Sequence, residues 1–178
     1  MAASLDAPGA KVTAMWNRLH GLPGGRWLFS VLAGRTAPYT GTIGGRVREF
    51  GDGHAVVALR DRRAVRNHLN SVHAVALVNL AEMTSGLAMM SALPAGVRGI
   101  VVGLSIDYLK KARGTLTAET NTVVPQVTAS VDHEVVAHIR DADGAEVARC
   151  TVRWRLAPPK GATAPAGGAA PPLASAAR

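Results

Sequence analysis

The sequence predicts an α+β domain in which a strongly curved antiparallel sheet wraps one long helix, with short helices at the N-terminus. Three observations carry this. Residues 72–92 run with no break other than Gly86 and are apolar on nearly every side, the mark of a buried helix. The segments flanking that run alternate apolar and polar residues with period two. A composition of 48% hydrophobic and 18% charged residues supplies a core for one domain of 178 residues and excludes disorder of the whole chain.

Residues 1–10 are expected to be a disordered N-terminus. The opening MAASLDAPGAKV carries Asp6 and lacks an apolar run, so it does not read as a signal peptide. Residues 11–34 read as two short helices broken at Gly21, Pro23, Gly24 and Gly25. Trp16, Leu19, Trp27, Leu28, Val31 and Leu32 supply their apolar faces, which pack across the domain. In an alternative reading, Trp27 and Phe29 border a ligand pocket. Residues 39–50 and 54–60 follow as two strands with a turn at Gly51-Asp52-Gly53. A polar, basic link, Asp61 to Asn70, leads into the long helix.

On that helix, Leu77, Val78, Ala81, Ala88 and Met89 share one side, and Leu80, Met83, Leu87 and Met90 fill much of the rest. Pro94 stops it. Four strands follow. Ile100, Val102, Leu104, Ile106 and Tyr108 are expected on one face of the first, and 114–123 form a Thr-rich second. Ala129, Val131, His133, Val135, Ala137 and Ile139 alternate cleanly in the third. A turn at Asp141–Gly144 leads to Ala148, Cys150, Val152, Trp154 and Leu156 in the fourth. A helix buried all round needs cover all round; the curved sheet supplies most of it, and a second subunit could close the rest. The folded domain is expected over 11–157. The remainder, 158–178, is an Ala/Pro/Gly-rich tail expected to be disordered, because it holds too little bulky apolar surface to offset the entropy of ordering.

The net charge is +8, of which +6 belongs to the part before Pro158. A basic surface suits any polyanion, whether nucleic acid, anionic lipid or the phosphates of coenzyme A. With 4% aromatic residues and no helix-turn-helix, nucleic-acid binding ranks last. Cys150 is the one cysteine, which excludes an internal disulfide, and no Cys/His spacing forms a zinc site. Cys150 lies in an alternating strand pattern and reads as a small core filler. No uninterrupted apolar stretch is expected to span a bilayer, and a cytoplasmic protein is the expectation.

Asn67, His73 and Glu82 stand six and nine residues apart, and the element order is two strands, a long helix and four strands. Together with PGGRWLFSVLAG, PYTGTI, LSIDYLKKARGTLTAE and the final VVAHIRDADGAEVARCTVRW, these resemble the hotdog thioesterase superfamily. The PaaI-like group is most similar, and within it the branch with two extra N-terminal helices (DUF4442-like). The resemblance covers residues 11–156. The superfamily pattern places His-Gly-Gly at the helix start; here Ala74 and Val75 replace the glycines, and Asn70 stands where a Gly often precedes the His.

The resemblance implies a hotdog fold, a homo-oligomer (a dimer or a dimer of dimers) and an acyl-CoA thioester substrate, with no cofactor. It assigns Glu82, Asn67 and His73 to catalysis, with the Ala74 and Val75 backbone N–H groups as oxyanion donors. Gly86 would leave room for substrate, and Lys110, Lys111 and Arg113 would meet coenzyme A phosphates. The chemistry is consistent with the residues themselves. A helix N-terminus offers unpaired N–H donors to a developing oxyanion. Glu82 is the only acid between Asp61 and Asp107, and a lone carboxylate on an apolar helix has the raised pKa that suits a general base. The bland alternatives are a structural or solvent-facing acid for Glu82, a helix-start residue for His73, a turn-former for Asn67 and a solvated loop for the basic run. A hotdog dehydratase would need a segment of the HFPG kind, which is absent. A ligand-binding hotdog protein without turnover is the main alternative function.

Overall fold

The computed structural model describes residues 8–159. The chain opens with helices α1 (Pro8–Leu19) and α2 (Gly25–Thr36) and a single turn, α3 (Pro38–Gly41). Strands β1 (Arg46–Gly51) and β2 (His54–Leu59) follow, then a 3-10 turn at Arg63–Val65 and the long helix α4 (Ala74–Ala92). Strands β3 (Arg98–Tyr108), β4 (Leu116–Asn121), β5 (Val131–Arg140) and β6 (Glu146–Ala157) complete a six-stranded sheet ordered β1-β2-β4-β5-β6-β3. Every pairing is antiparallel.

The sheet curls around α4. Its inner face carries Val57 and Leu59 of β2, Leu116 of β4, Val135 and Ile139 of β5 and Val152 and Leu156 of β6, all essentially inaccessible. Leu80 and Met89 of α4 are equally buried against them. Each fully buried aliphatic side chain of this kind contributes about 1.5–3 kcal/mol. By length and hydropathy α4 could cross a membrane, contrary to the sequence expectation, but 67% of its most apolar window is buried within the protein. It is the core helix. The Asp52-Gly53 turn has both residues at positive φ, 49° and 78°, the two-residue hairpin geometry that Asp-Gly favours.

The N-terminal helices cover the β1 end. Trp16 meets Phe29 edge-on with ring centroids 5.0 Å apart and Phe50 at 5.9 Å. A side chain at Gly9 would collide with the Met90 carbonyl oxygen, so only glycine lets α1 approach the end of α4 this closely.

Several expectations are corrected. Residues 8–10 are helical rather than disordered. The strand expected over 39–50 begins only at Arg46; Pro38 starts α3, and Gly44 at φ 69° turns the chain before β1. Val102 is an extra residue in β3, because Val101 pairs with Trp154 and Gly103 with Arg153. That bulge reverses the alternation, so Ile100 falls on the outer face, 66% exposed, while Val101 turns inward. Trp27 and Leu28 are exposed and Phe29 is buried. The tail expectation lies outside the described residues from 160 onward.

Candidate functional site

Glu82 sits on the α4 face that meets α3. It is half-buried, and its Oε2 accepts a long hydrogen bond, 3.5 Å, from the Thr40 hydroxyl. Among the described residues it forms no ion pair. Burial lifts its carboxyl above the ordinary carboxylate range, and the Thr40 hydroxyl opposes that shift. One turn earlier, the Asn79 amide donates to the Tyr39 carbonyl at 3.3 Å, while its Oδ1 is buried without a partner. Tyr39 and Thr40 therefore tie α3 to α4 beside the carboxylate.

The helix start supplies one donor rather than two. His73 is the N-cap, and its Nδ1 accepts the Val75 N–H at 3.1 Å. That corrects the expectation for Val75, whose N–H is occupied. The Ala74 N–H has no hydrogen-bond partner among the described residues. The Tyr108 hydroxyl donates to the Ala74 carbonyl at 3.3 Å and ties the end of β3 to this turn. Asn67 is a loop-former. Its Oδ1 accepts from the Leu69 N–H (2.9 Å), the Ser71 N–H (3.2 Å) and the Ser71 hydroxyl (3.2 Å), the turn-forming role its sequence position also allowed. Asn70 has φ 54°, a left-handed conformation that Gly and Asn share. Ala74 and Glu82 are eight residues apart on one helix, about 12 Å along its axis.

The remaining predicted residues are dispersed. Gly86 is buried and faces the Trp154 ring, 3.6 Å from where a Cβ would stand, instead of an open space. Lys110 is paired with Asp141 at 2.7 Å. Lys111 and Arg113 are exposed and make no ion pair among the described residues. Arg113 borders a polar basin of about 630 Å³ together with Arg60 and Arg66. Asp61 in that basin pairs with Arg66 at 2.6 Å and accepts the Gly114 N–H at 3.0 Å. The Cys150 thiol is buried and pushed up to about 11, which removes it as a nucleophile. Among the described residues no group of three or more His, Cys, Asp or Glu side chains could hold a metal.

A second, more apolar cavity of about 510 Å³ lies between α2, the α3–β1 linker and Met83 of α4. Thr40 lines it. Thr40 escapes a reading by spacing, because it reaches Glu82 from a helical turn that the alternation of 39–50 disguises, and Asn79 holds that turn through the Tyr39 carbonyl.

Residues 25–156 match the family described as Domain of unknown function (DUF4442). No curated protein matches the chain. Among solved structures, a structural-genomics protein is 30% identical, with a TM-score of 0.71, over 82% of this chain and 97% of that one. A Pseudomonas aeruginosa protein of unknown function, described as a probable thioesterase, is 19% identical with a TM-score of 0.67, over 76% of this chain and 96% of that one. A Haemophilus influenzae thioesterase is 15% identical with a TM-score of 0.60, over 66% of this chain and 81% of its own. The family match over most of the described residues and the sheet wrapped around α4 agree: this chain belongs to the DUF4442 family and has the hotdog fold.

Proposed function

We propose that the protein is an acyl-CoA thioesterase acting as a homodimer with composite sites. The observation that carries this is Glu82: a carboxylate on the core helix, lifted by burial, with one long hydroxyl contact as its partner. Ionised Glu82 takes a proton from a water whose oxygen attacks the thioester carbonyl. The C–S bond then breaks, coenzyme A leaves as the thiolate, and the acid remains. The free Ala74 N–H, at the positive end of the α4 dipole, polarises the carbonyl and is worth roughly 3 kcal/mol in the transition state.

Those two groups are too far apart within one chain to serve one thioester. A composite site resolves this, with Glu82 acting opposite Ala74 of the partner subunit. The 11-residue strand β3 supports the pairing. It is an edge strand, with Leu104 46% and Tyr108 50% exposed on its inner face, and long bare edges of this kind invite a second strand. Arg113, with Arg60 and Arg66, supplies positive charge for the coenzyme A phosphates, and Lys111 lies nearby in sequence.

The alternative, an acyl-CoA-binding protein without turnover, draws support from the occupied Val75 N–H, which leaves one oxyanion donor. Thiol release from short, medium, long and aromatic acyl-CoA thioesters, with Glu82→Gln in parallel, separates the two. Hydrolysis that falls at least a hundredfold in the variant is the expected result. Equal rates would remove Glu82 from the mechanism, and binding without turnover would establish the alternative.

A further inference from the structure

We infer that the cavity between α2, the α3–β1 linker and α4 is the acyl-chain pocket, and that Thr40 is the wall it shares with the Glu82 site. This rests on the thioesterase or acyl-binding reading above and specifies where the acyl group goes. The volume, about 510 Å³, lies in the range of small-ligand sites. Val31, Pro38 and Met83 line it with the backbones of Gly34, Gly41 and Gly45, and no acidic side chain does so. Its charges are Arg35 and Arg46, which are respectively exposed and half-buried, with the Arg46 guanidinium also stacked 5.6 Å over the Trp27 ring. An apolar chain fits the Val31, Pro38 and Met83 part of this lining.

The position of Thr40 links this space to the chemistry. The residue lines the cavity and its hydroxyl reaches Glu82 Oε2 at 3.5 Å, so a chain lying here ends beside the carboxylate. Met83 follows Glu82 directly and turns into the same cavity. The glycines keep the space open. A side chain at Gly45 would stand 2.8 Å from the Met83 sulfur and drive that flexible side chain aside. A side chain at Gly41 would collide with the Gly34 carbonyl oxygen, so the close passage of α2 and α3 that forms one wall also depends on glycine. The selected substrates are therefore thioesters of aliphatic acids, with chain length set by the N-terminal helices rather than by the sheet.

The test uses Val31→Trp and Met83→Trp in the full chain, each verified as folded by circular dichroism. Two readouts are taken: kcat/KM across saturated acyl-CoA thioesters from C4 to C16, and calorimetric binding of dodecanoate. Because each buried methylene is worth about fourfold in affinity, the ratio of long- to short-chain kcat/KM should fall at least tenfold in both variants. Dodecanoate binding should weaken by a similar factor. If the wild type hydrolyses no thioester, the proposed activity fails, yet dodecanoate binding that is lost in both variants still supports the pocket. An unchanged chain-length ratio, or dodecanoate binding that neither variant alters, overturns it; so does a wild type that binds no dodecanoate.

Discussion

Two glutamates of this chain stand in opposite surroundings. Glu82 lies on the core helix with a single hydroxyl at 3.5 Å, and burial drives its carboxyl upward. Glu146, at the start of β6, takes a forked pair from Arg149 at 2.8 and 3.1 Å and meets His138 at 2.7 Å. Those hydrogen bonds hold its carboxyl down at about 2. The same side chain is a carboxyl pushed upward by burial in one place and a fixed anion in the other. The difference lies in the neighbours: the sheet surface supplies cations, and the apolar helix supplies none.

The largest effect expected from breaking this contrast is on turnover. Glu82→Gln should reduce thioester hydrolysis at least a hundredfold, whereas Glu146→Gln should leave kcat/KM within about threefold. Next comes assembly. Leu104→Arg on the exposed inner face of β3 should yield monomers by analytical ultracentrifugation and cut hydrolysis tenfold or more, because Glu82 would lose the donor opposite it. A folded, monomeric and fully active variant would refute the composite site. Thr40→Val sharpens the contrast further. The Thr40 hydroxyl lowers the Glu82 pKa, so its removal should shift the acidic limb of the pH–rate profile to higher pH. A profile that stays in place would detach Thr40 from the carboxylate.

The smallest effects are on stability, and they have opposite signs. A carboxylate whose folded pKa is raised costs stability as pH climbs through the window from about 4.5 to that folded pKa. Glu82→Gln should therefore raise the urea midpoint at pH 8 and lose that advantage below pH 4. Glu146 acts in reverse. Its contribution is present above about 4.5 and lost as pH falls toward about 2, so Glu146→Gln should lower the urea midpoint at pH 8, through a stability loss of about 1 kcal/mol or less for a pair this exposed. His73→Ala should cost about 1 kcal/mol as a lost N-cap, and His73→Asn should restore most of it.

The long helix, its burial, the antiparallel strands and Glu82 were all legible in the sequence, because period and composition report directly on which side of an element faces the core. What escaped was decided by single residues. Val102 adds one residue to β3 and reverses the side to which Ile100 points, and no alternation of apolar residues announces a bulge. Pro38 at the first helical position and the Gly44-Gly45 pair were the available signals that 39–45 is not strand. The occupancy of the Val75 N–H depends on the rotamer of His73, and the hydrogen bonds of Asn67 depend on a loop closing on Ser71. Spacing carries neither. The half-burial of Glu82, by contrast, follows directly from its place on a regular apolar element.

Cys150 is fully buried in β6, and its thiol is pushed up to about 11. The native surface therefore presents no reactive sulfhydryl from the one cysteine of this sequence. Ellman-type detection of released coenzyme A will run against a near-silent protein background. For the same reason, a cysteine introduced at Ser105, on the exposed edge strand, becomes a unique chemical handle. Crosslinkers of graded length or paired spin labels at that position would measure the separation of two protomers without first removing any native thiol.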